Sequence, residues 1–355
     1  MKNGAKPLNN VARNGSIIVV SDTHLGHCDC LNKTFSEFLN WVKTLQEDGK
    51  KTEKLKNGDK FEFENPGTMI MLGDILELWD PKECNPCHIF YHSYSILRSL
   101  YNLTCDKVYV LGNHDEALTV YAGEFKDESE GTLKIVPRHY PENPEDYLEV
   151  GKNRYFFIHG QQFDRLFCRL GSLSKLPTYW GMVSKITQKT PADGWSVVGV
   201  FAALSAFYAV GNGFAVSIFE KTVELSTLAL PTALTGIFAV PRVLTQVQGW
   251  VWKRIKNTIT DKPSYKDIQE IIDKKYYRKE KDTIKANVVV FGHTHLPELK
   301  DHTSELGKVF VNSGAWIKEM NTHPGKTFVY IDEMGVYLFR WHDNAPIEKV
   351  DTYSS

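Results

Sequence analysis

The sequence predicts an α/β protein carrying an apolar helical insertion. Three observations lead there. Residues 16–165 alternate strand-like and helix-like stretches. After His295 the chain returns to strands. Between these parts, residues 166–285 contain two long runs with no charged residue. The expected organisation is a flexible N-terminus at 1–15, one catalytic domain from 16–165 and 286–355, and a helical cap or insertion at 166–285.

The elements follow in order. SIIVV at Ser16–Val20 is rich in β-branched residues and reads as a strand. Leu31–Gln46 places Phe35, Phe38, Leu39 and Val42 at helical spacing. Lys50–Asn65 is charged and holds Asn57-Gly58-Asp59, a turn signal, so it reads as a surface excursion or hairpin. TMIML is the next strand, and residues 86–102 are helical again, with Ile89, Phe90, Ile96, Leu97 and Leu100. KVYVL, RYFFI and NVVVF are further strands. KVFVN, KTFVYI and GVYLFRW alternate apolar and polar residues near the C-terminal end.

Each of five strands runs into a short polar motif. These are Asp22-Thr23-His24, Gly73-Asp74, Gly112-Asn113-His114-Asp115, His159-Gly160 and Gly292-His293-Thr294-His295. Loops at strand ends are where an α/β sheet places its chemistry. A pair of divalent ions roughly 3.5–4 Å apart needs a shared ligand and hard or borderline donors. Carboxylates bridge ions well, because their two oxygens can serve two ions. Neutral imidazoles and amide oxygens fill the shells without adding charge. The motifs supply Asp22, Asp74, Asn113, His24, His159, His293 and His295. A lone D-x-H or G-D means little, but GNHD together with GHTH in this order is specific.

The set resembles the calcineurin-like metallophosphoesterase superfamily. The resemblance implies a four-layer αββα sandwich of two mixed sheets, which makes 16–165 and 286–355 the metallophosphoesterase domain. Carried over position by position, it implies Asp22, His24, Asp74 and His295 on one metal, and Asp74, Asn113, His159 and His293 on the other, with Asp74 bridging. Hydroxide held between the ions would attack phosphorus in line. His114 would contact the phosphoryl oxygen or protonate the leaving group, and Asp115 would orient its ring. His27 lies close enough in sequence to approach the site. Mn²⁺ is the expected metal, with Fe and Zn as alternatives.

Composition narrows the partners. The 355 residues carry a net charge of −1, so no global basic field draws the chain to nucleic acid. Residues 1–14 are polar with no apolar core, as expected without a secretory signal. The six scattered cysteines then suggest free thiols in a reducing compartment. Cys28, Cys30, Cys84 and Cys87 follow the first two motifs and are a candidate structural zinc set, with unpaired thiols or a disulfide as the other readings.

The insertion points to lipid. His159 and His293 are 293 − 159 = 134 residues apart. Trp195–Phe219 has no charge and, as a helix, spans roughly 37 Å, enough for a hydrocarbon core of about 30 Å. Leu225–Pro241 is also uncharged and reaches about 25 Å. Lys185 and Lys189 precede the pair, and Arg242, Trp250, Trp252, Lys253, Arg254 and Lys256 follow it. These flanks fit a membrane-associated hairpin at 195–241 whose ends and catalytic domain lie on the cytoplasmic face. A soluble cap holding acyl chains and plain core packing are the alternatives.

GDILELWD, HGQQFD and VNSGAW look like the UDP-2,3-diacylglucosamine pyrophosphatase branch of the superfamily. That likeness implies a lipidic phosphoester substrate and pyrophosphate cleavage with Mn²⁺. The chain departs from the branch at His114, where the branch has Arg, and in a longer, more apolar insert. A related lipid-linked nucleotide or phospholipid is therefore an equally open substrate. A DNA-end nuclease of the same superfamily and a non-catalytic membrane-tethered scaffold are the alternative readings. The nuclease lacks support in the 60 residues after His295 (355 − 295), which read as closing strands.

Overall fold

The computed structural model describes residues 15–78, 86–126, 131–143, 146–161, 285–318 and 325–354. They form two packed mixed sheets with helices on the outer face of the first. Sheet one has eight strands in the order β16-β15-β14-β1-β4-β5-β7-β6. Its centre is β1 (Ser16–Val20), β4 (Pro66–Leu72), β5 (Asp106–Val110) and β7 (Thr132–Val136), all parallel. β14 (Thr327–Asp332), β15 (Gly335–Arg340) and β16 (Glu348–Ser354) extend it as an antiparallel meander, and β6 (Gly123–Lys126) closes the other edge.

Sheet two runs β12-β13-β11-β10-β8, with β9 beside β10. Its strands are β8 (His139–Tyr140), β9 (Leu148–Val150), β10 (Asn153–Ile158), β11 (Val288–Phe291), β12 (Glu298–His302) and β13 (Lys308–Asn312). β10, β11 and β13 are parallel, although 129 residues (159–287) separate the first two in sequence.

The two-residue strand period builds the layers. Ile17, Val19, Ile70, Leu72, Val108 and Val110 face Tyr155, Phe157, Val288, Val290, Val309 and Val311 across the inter-sheet core. The intervening residues Ile18, Val20, Met69 and Met71 point the other way, onto helices. Both faces of these strands are covered, which is why they read as continuous apolar runs rather than alternating ones.

Helix α1 (Asn32–Asp48) buries Phe35, Phe38, Leu39, Trp41, Val42 and Leu45. The sequence had marked four of these; Trp41 and Leu45 widen the same stripe. Gly49 ends the helix at φ 75°, donating its N–H to Leu45 O at 3.0 Å. The charged stretch after it is the expected hairpin, β2 (Lys50–Lys54) against β3 (Lys60–Glu64). Its inner face inserts Phe61 and Phe63 among Trp41, Tyr330, Tyr337 and Phe339. Helix α2 (Pro86–Tyr101) buries Ile89, Ser93, Ile96 and Leu100.

The insertion at 166–285 up to residue 284, the hairpin at 195–241 within it, the flexible terminus at 1–15 up to residue 14, and Cys84 lie outside the described residues. So does the side chain of Cys87. Among the described residues no helix is long and apolar enough to cross a membrane. Cys28 is exposed and Cys30 partly buried, both as free thiols.

Candidate metal centre

The five motifs sit at the C-terminal ends of β1, β4, β5, β10 and β11, all parallel strands within their own sheets. Both sheets therefore deliver their loops to one place. The loops are tied to each other by backbone hydrogen bonds. Asp22 N–H donates to Gly73 O at 3.0 Å, His24 N–H to Asp74 O at 2.9 Å, and Gly292 N–H to His159 O at 2.8 Å.

Seven side chains converge. Asp22, His24 and His295 form one group, and Asp74, His159 and His293 form another. A third overlapping group joins His24 and Asp74 to His114. Within each group the donor atoms lie within 4.8 Å of one another. His27 groups instead with Cys28 and Asp29 on its own loop.

The carboxylates share a design. Asp22 Oδ2 accepts His293 N–H at 3.0 Å, and Asp74 Oδ1 accepts His114 N–H at 2.8 Å. The second oxygen of each faces the centre. Asp22 Oδ1 is 3.3 Å from His295 Nε2 and 3.9 Å from His24 Nε2. Asp74 Oδ2 is 3.1 Å from His159 Nε2 and 3.9 Å from His24 Nε2. This changes the expected bridge. One oxygen of Asp74 is engaged by backbone, so a single oxygen, Oδ2, faces both groups.

The imidazoles are oriented from behind. His159 Nδ1–H donates to Leu72 O at 2.9 Å, and His24 Nδ1–H donates to Glu77 Oε2 at 2.8 Å. Each bond orients its ring so that Nε2 points inward. His24 Nε2 and His295 Nε2 are 3.3 Å apart. That matches the roughly 3.3 Å edge between two nitrogens held tetrahedrally at ~2.05 Å from one ion.

A fit to cations is also visible in what lacks a partner. Asp22 Oδ1, Asn113 Oδ1 and His159 Nε2 are buried and make no hydrogen bond. Buried polar atoms are rarely left so. Two of them, Asp22 Oδ1 and His159 Nε2, belong to the clustered groups and are donor atoms that divalent cations would satisfy; Asn113 precedes His114 of the third group in sequence.

Glu77 is the functional residue that motif reading missed. It is 1% exposed and places one oxygen on His24 Nδ1 and the other on His114 Nδ1, at 2.8 and 2.7 Å. Burial pushes its carboxyl up, but the two imidazoles outweigh that and hold it well below the usual range. It stands three residues after Asp74, within GDILELWD, where its own sequence signal is a lone acid in an apolar stretch.

Asp115 requires a correction. It does not hold the ring of His114. Its carboxylate accepts Gly112 N–H at 2.6 Å, Ile75 N–H at 2.9 Å and Tyr109 O–H at 2.5 Å. Asp115 thus pins the second metal loop to the third, and Glu77 orients His114. A short polar side chain just past a strand satisfies backbone donors nearby, and this one is fully buried. Burial first, and then Asp74, push its carboxyl up to about 7.

Burial opposes charge on Asp74 and His159, yet the two hold each other ionised. Asp74 stays well below its usual range because His159 and His114 outweigh desolvation. His159 is raised to about 9 by Asp74 and Asp22 against its own burial. A cation taken up at His159 Nε2 would displace that proton.

The backbone is strained at the ligands. Asp22, His24, Asp74, His293 and His295 have φ of 50°, 43°, 52°, 67° and 60°. These are five of the seven non-glycine residues at positive φ among the described residues. Such conformations cost on the order of 1–3 kcal/mol each and cluster at functional sites. The motif glycines answer to space: a Cβ on Gly112 would collide with Asp74 Oδ1, and one on Gly73 with the His159 ring.

The family model for calcineurin-like phosphoesterases matches residues 15–196, more than half of the chain. The chain belongs to the calcineurin-like phosphoesterase family. It is a metal-dependent hydrolase with the fold of that family, and divalent ions are its cofactors. Comparison with the curated proteins gives no match. Among solved structures, a single mutant of Vps29 from Entamoeba histolytica is similar at 12% identity and TM-score 0.36, over 96% of this chain and 99% of that one. Vacuolar Protein Sorting 29 from Cryptosporidium parvum is similar at 12% and 0.35, over 96% and 98%. A conserved, predicted phosphoesterase from Streptococcus pneumoniae is similar at 11% and 0.30, also over 96% and 98%.

Proposed function

We propose that this phosphoesterase hydrolyses a lipid-linked nucleotide or a related phospholipid with two divalent cations, Mn²⁺ by preference, at the cytoplasmic face of a membrane. The observation that carries the two-metal reading is the pair of neighbouring donor groups, Asp22, His24 and His295 beside Asp74, His159 and His293, with Asp22 Oδ1 and His159 Nε2 buried and unpartnered. The groups Asp22, His24, His295 and Asp74, His159, His293 would each hold one cation, and the family resemblance adds Asp74 to the first set and Asn113 to the second. When bound, the cations supply a deprotonated water at neutral pH and positive charge for the phosphoryl oxygens.

The chain's own residues do the rest. Asp74 Oδ2 faces both groups and sets the spacing between them. His114 stands at the rim, partly exposed, with Nδ1 held by Glu77 and Nε2 4.0 Å from Asp74 Oδ2. Burial disfavours its charge, but Asp74 and Glu77 raise its pKa overall. An imidazole so placed can donate a proton to a departing oxygen.

The lipidic substrate rests on sequence. Trp195–Phe219 and Leu225–Pro241 are uncharged, and GDILELWD, HGQQFD and VNSGAW resemble the UDP-2,3-diacylglucosamine pyrophosphatase branch. Phosphorus NMR of products from the Mn²⁺-loaded protein tests it. The substrates are a UDP-linked diacyl sugar in detergent and the same headgroup without acyl chains. Release of UMP from the acylated compound alone is the expected result. Equal cleavage of both removes the acyl chains from the recognition, and cleavage of neither excludes this headgroup.

A further inference from the structure

Helix α2 carries exposed aromatic rings on the side that faces away from the core, beside the exposed His92, Ser95 and Arg98. Its inner face packs Ile89, Ile96 and Leu100 under the sheet. Its outer face carries Phe90, Tyr91 and Tyr94, with Tyr91 78% and Tyr94 63% exposed. Between Pro86 and Tyr101 there is no acidic residue, and the single full charge is Arg98. The neighbouring helix α1 shows the ordinary alternative. Its outer face is charged, with Lys33–Glu37 and Lys43–Glu47 pairs one turn apart. A helix facing water normally carries charge of both signs on that side, whereas α2 exposes aromatic rings, no carboxylate and one cation there.

The position of this face matters. Ile89 lies against Gly26, in the loop that begins with His24, so this end of α2 borders the metal centre. On the loop after Asp115, a 3₁₀ turn at Glu116–Tyr121 presents Val120 and Tyr121, 80% and 60% exposed. Phe90 and Tyr91 thus follow directly on the residue that packs against the first metal loop, and Val120 and Tyr121 stand five and six residues after Asp115 in the third.

We infer that the outer face of α2 docks on an anionic lipid bilayer at the headgroup level. Tyrosine rings with a polar tip suit that boundary, where one end is apolar and the other wet. A lone Arg with no carboxylate on the helix complements anionic headgroups. The docking would hold the first metal loop near the surface from which a lipid-linked phosphoester is drawn. The inference rests on the lipidic reading of the site, and it adds to that reading the surface of this chain that meets the membrane.

Hydroxyl-radical footprinting read by mass spectrometry tests it side chain by side chain. The full-length, Mn²⁺-loaded protein is exposed with and without vesicles of phosphatidylcholine and phosphatidylglycerol at four to one. Oxidation of Tyr91 and Tyr94 is expected to fall several-fold with vesicles. Oxidation of Met334, exposed in the turn between β14 and β15, should not change. The triple variant Phe90→Gln/Tyr91→Gln/Tyr94→Gln should float with vesicles several-fold less well, yet hydrolyse a water-soluble phosphodiester at the wild-type rate. Three results overturn the inference. The protein can float with vesicles while Tyr91 and Tyr94 stay fully reactive, so that membrane binding stands and this face is not the surface. Protection can follow protein concentration without vesicles, making a second copy the cover. Or the protein fails to float, while UMP release from the detergent-dispersed acylated substrate decides separately whether the lipidic reading survives.

Discussion

Glu77 is the residue on which the site's geometry turns. It holds His24, a candidate ligand, and His114, the candidate acid, with the two oxygens of one carboxylate. Glu77→Gln keeps the shape but can accept from only one of the two rings through its carbonyl oxygen. Loss of such an outer partner costs about 10- to 100-fold in metal affinity or activity. Turnover of a soluble phosphodiester and metal analysis of the same variant check this, and wild-type turnover would remove Glu77 from the mechanism. Asp74→Ala should abolish hydrolysis, since it deletes the oxygen facing both groups. His114→Ala should slow turnover while both cations remain. A metal-free His114→Ala protein would make His114 a ligand, and its overlap with His24 and Asp74 shows where it would bind.

At the scale of elements, loops are held to the site by packing as much as by hydrogen bonds. Trp316 N–H donates to Asp22 O at 3.0 Å, and the Trp316 ring packs on Phe35 and Phe38 of α1. The stretch KVFVNSGAW thus braces the first metal loop. Ser313 Oγ and Ser21 Oγ are 2.6 Å apart, and Asn312 Nδ2–H donates to Thr294 Oγ1 at 2.7 Å. Phe38→Ala should lower stability by about 3–5 kcal/mol, because a fully buried ring leaves a cavity among aromatics that cannot collapse. Denaturant unfolding reads this directly; a loss under about 1 kcal/mol would mean that the cluster repacks. Much of this scale was legible beforehand. The period of Phe35, Phe38, Leu39 and Val42 located α1, and Asn57-Gly58-Asp59 located the hairpin turn. β6, β7, β8, β9, β12 and β16 were not read: most are strands of two to five residues, too short a pattern to stand out, and β16 (EKVDTYS) is too polar.

At the scale of the whole molecule, two sheets from distant parts of the chain close on one buried cluster of carboxylates and imidazoles. Folding places Asp22 and Asp74 there fully buried, with five ligands in left-handed backbone conformations. Cations that bind this arrangement and not the unfolded chain stabilise it by mass action, by about 2.7 kcal/mol per site at a hundredfold excess over Kd. Chelator-treated protein should therefore melt at lower temperature and lose activity, and Mn²⁺ should restore both. Calorimetry with and without the metal gives the answer; an unchanged melting temperature would show that the cluster holds no cation in the folded protein.

The sequence by itself determined the apolar central strands, the helical stripes and the identity of the polar residues at the strand ends. These follow from local chemistry, because a side-chain period or a motif spacing is written in consecutive residues. It also supplied the lipidic expectation, through uncharged runs that lie outside the described residues. Tertiary structure alone decided which atoms meet. It turned Asp115 from His114 onto Gly112, Ile75 and Tyr109, put Glu77 behind two histidines, and left one inward oxygen on each of Asp22 and Asp74. Those outcomes depend on which backbone N–H groups arrive near a buried carboxylate when separate loops pack together, and no local pattern carries that information.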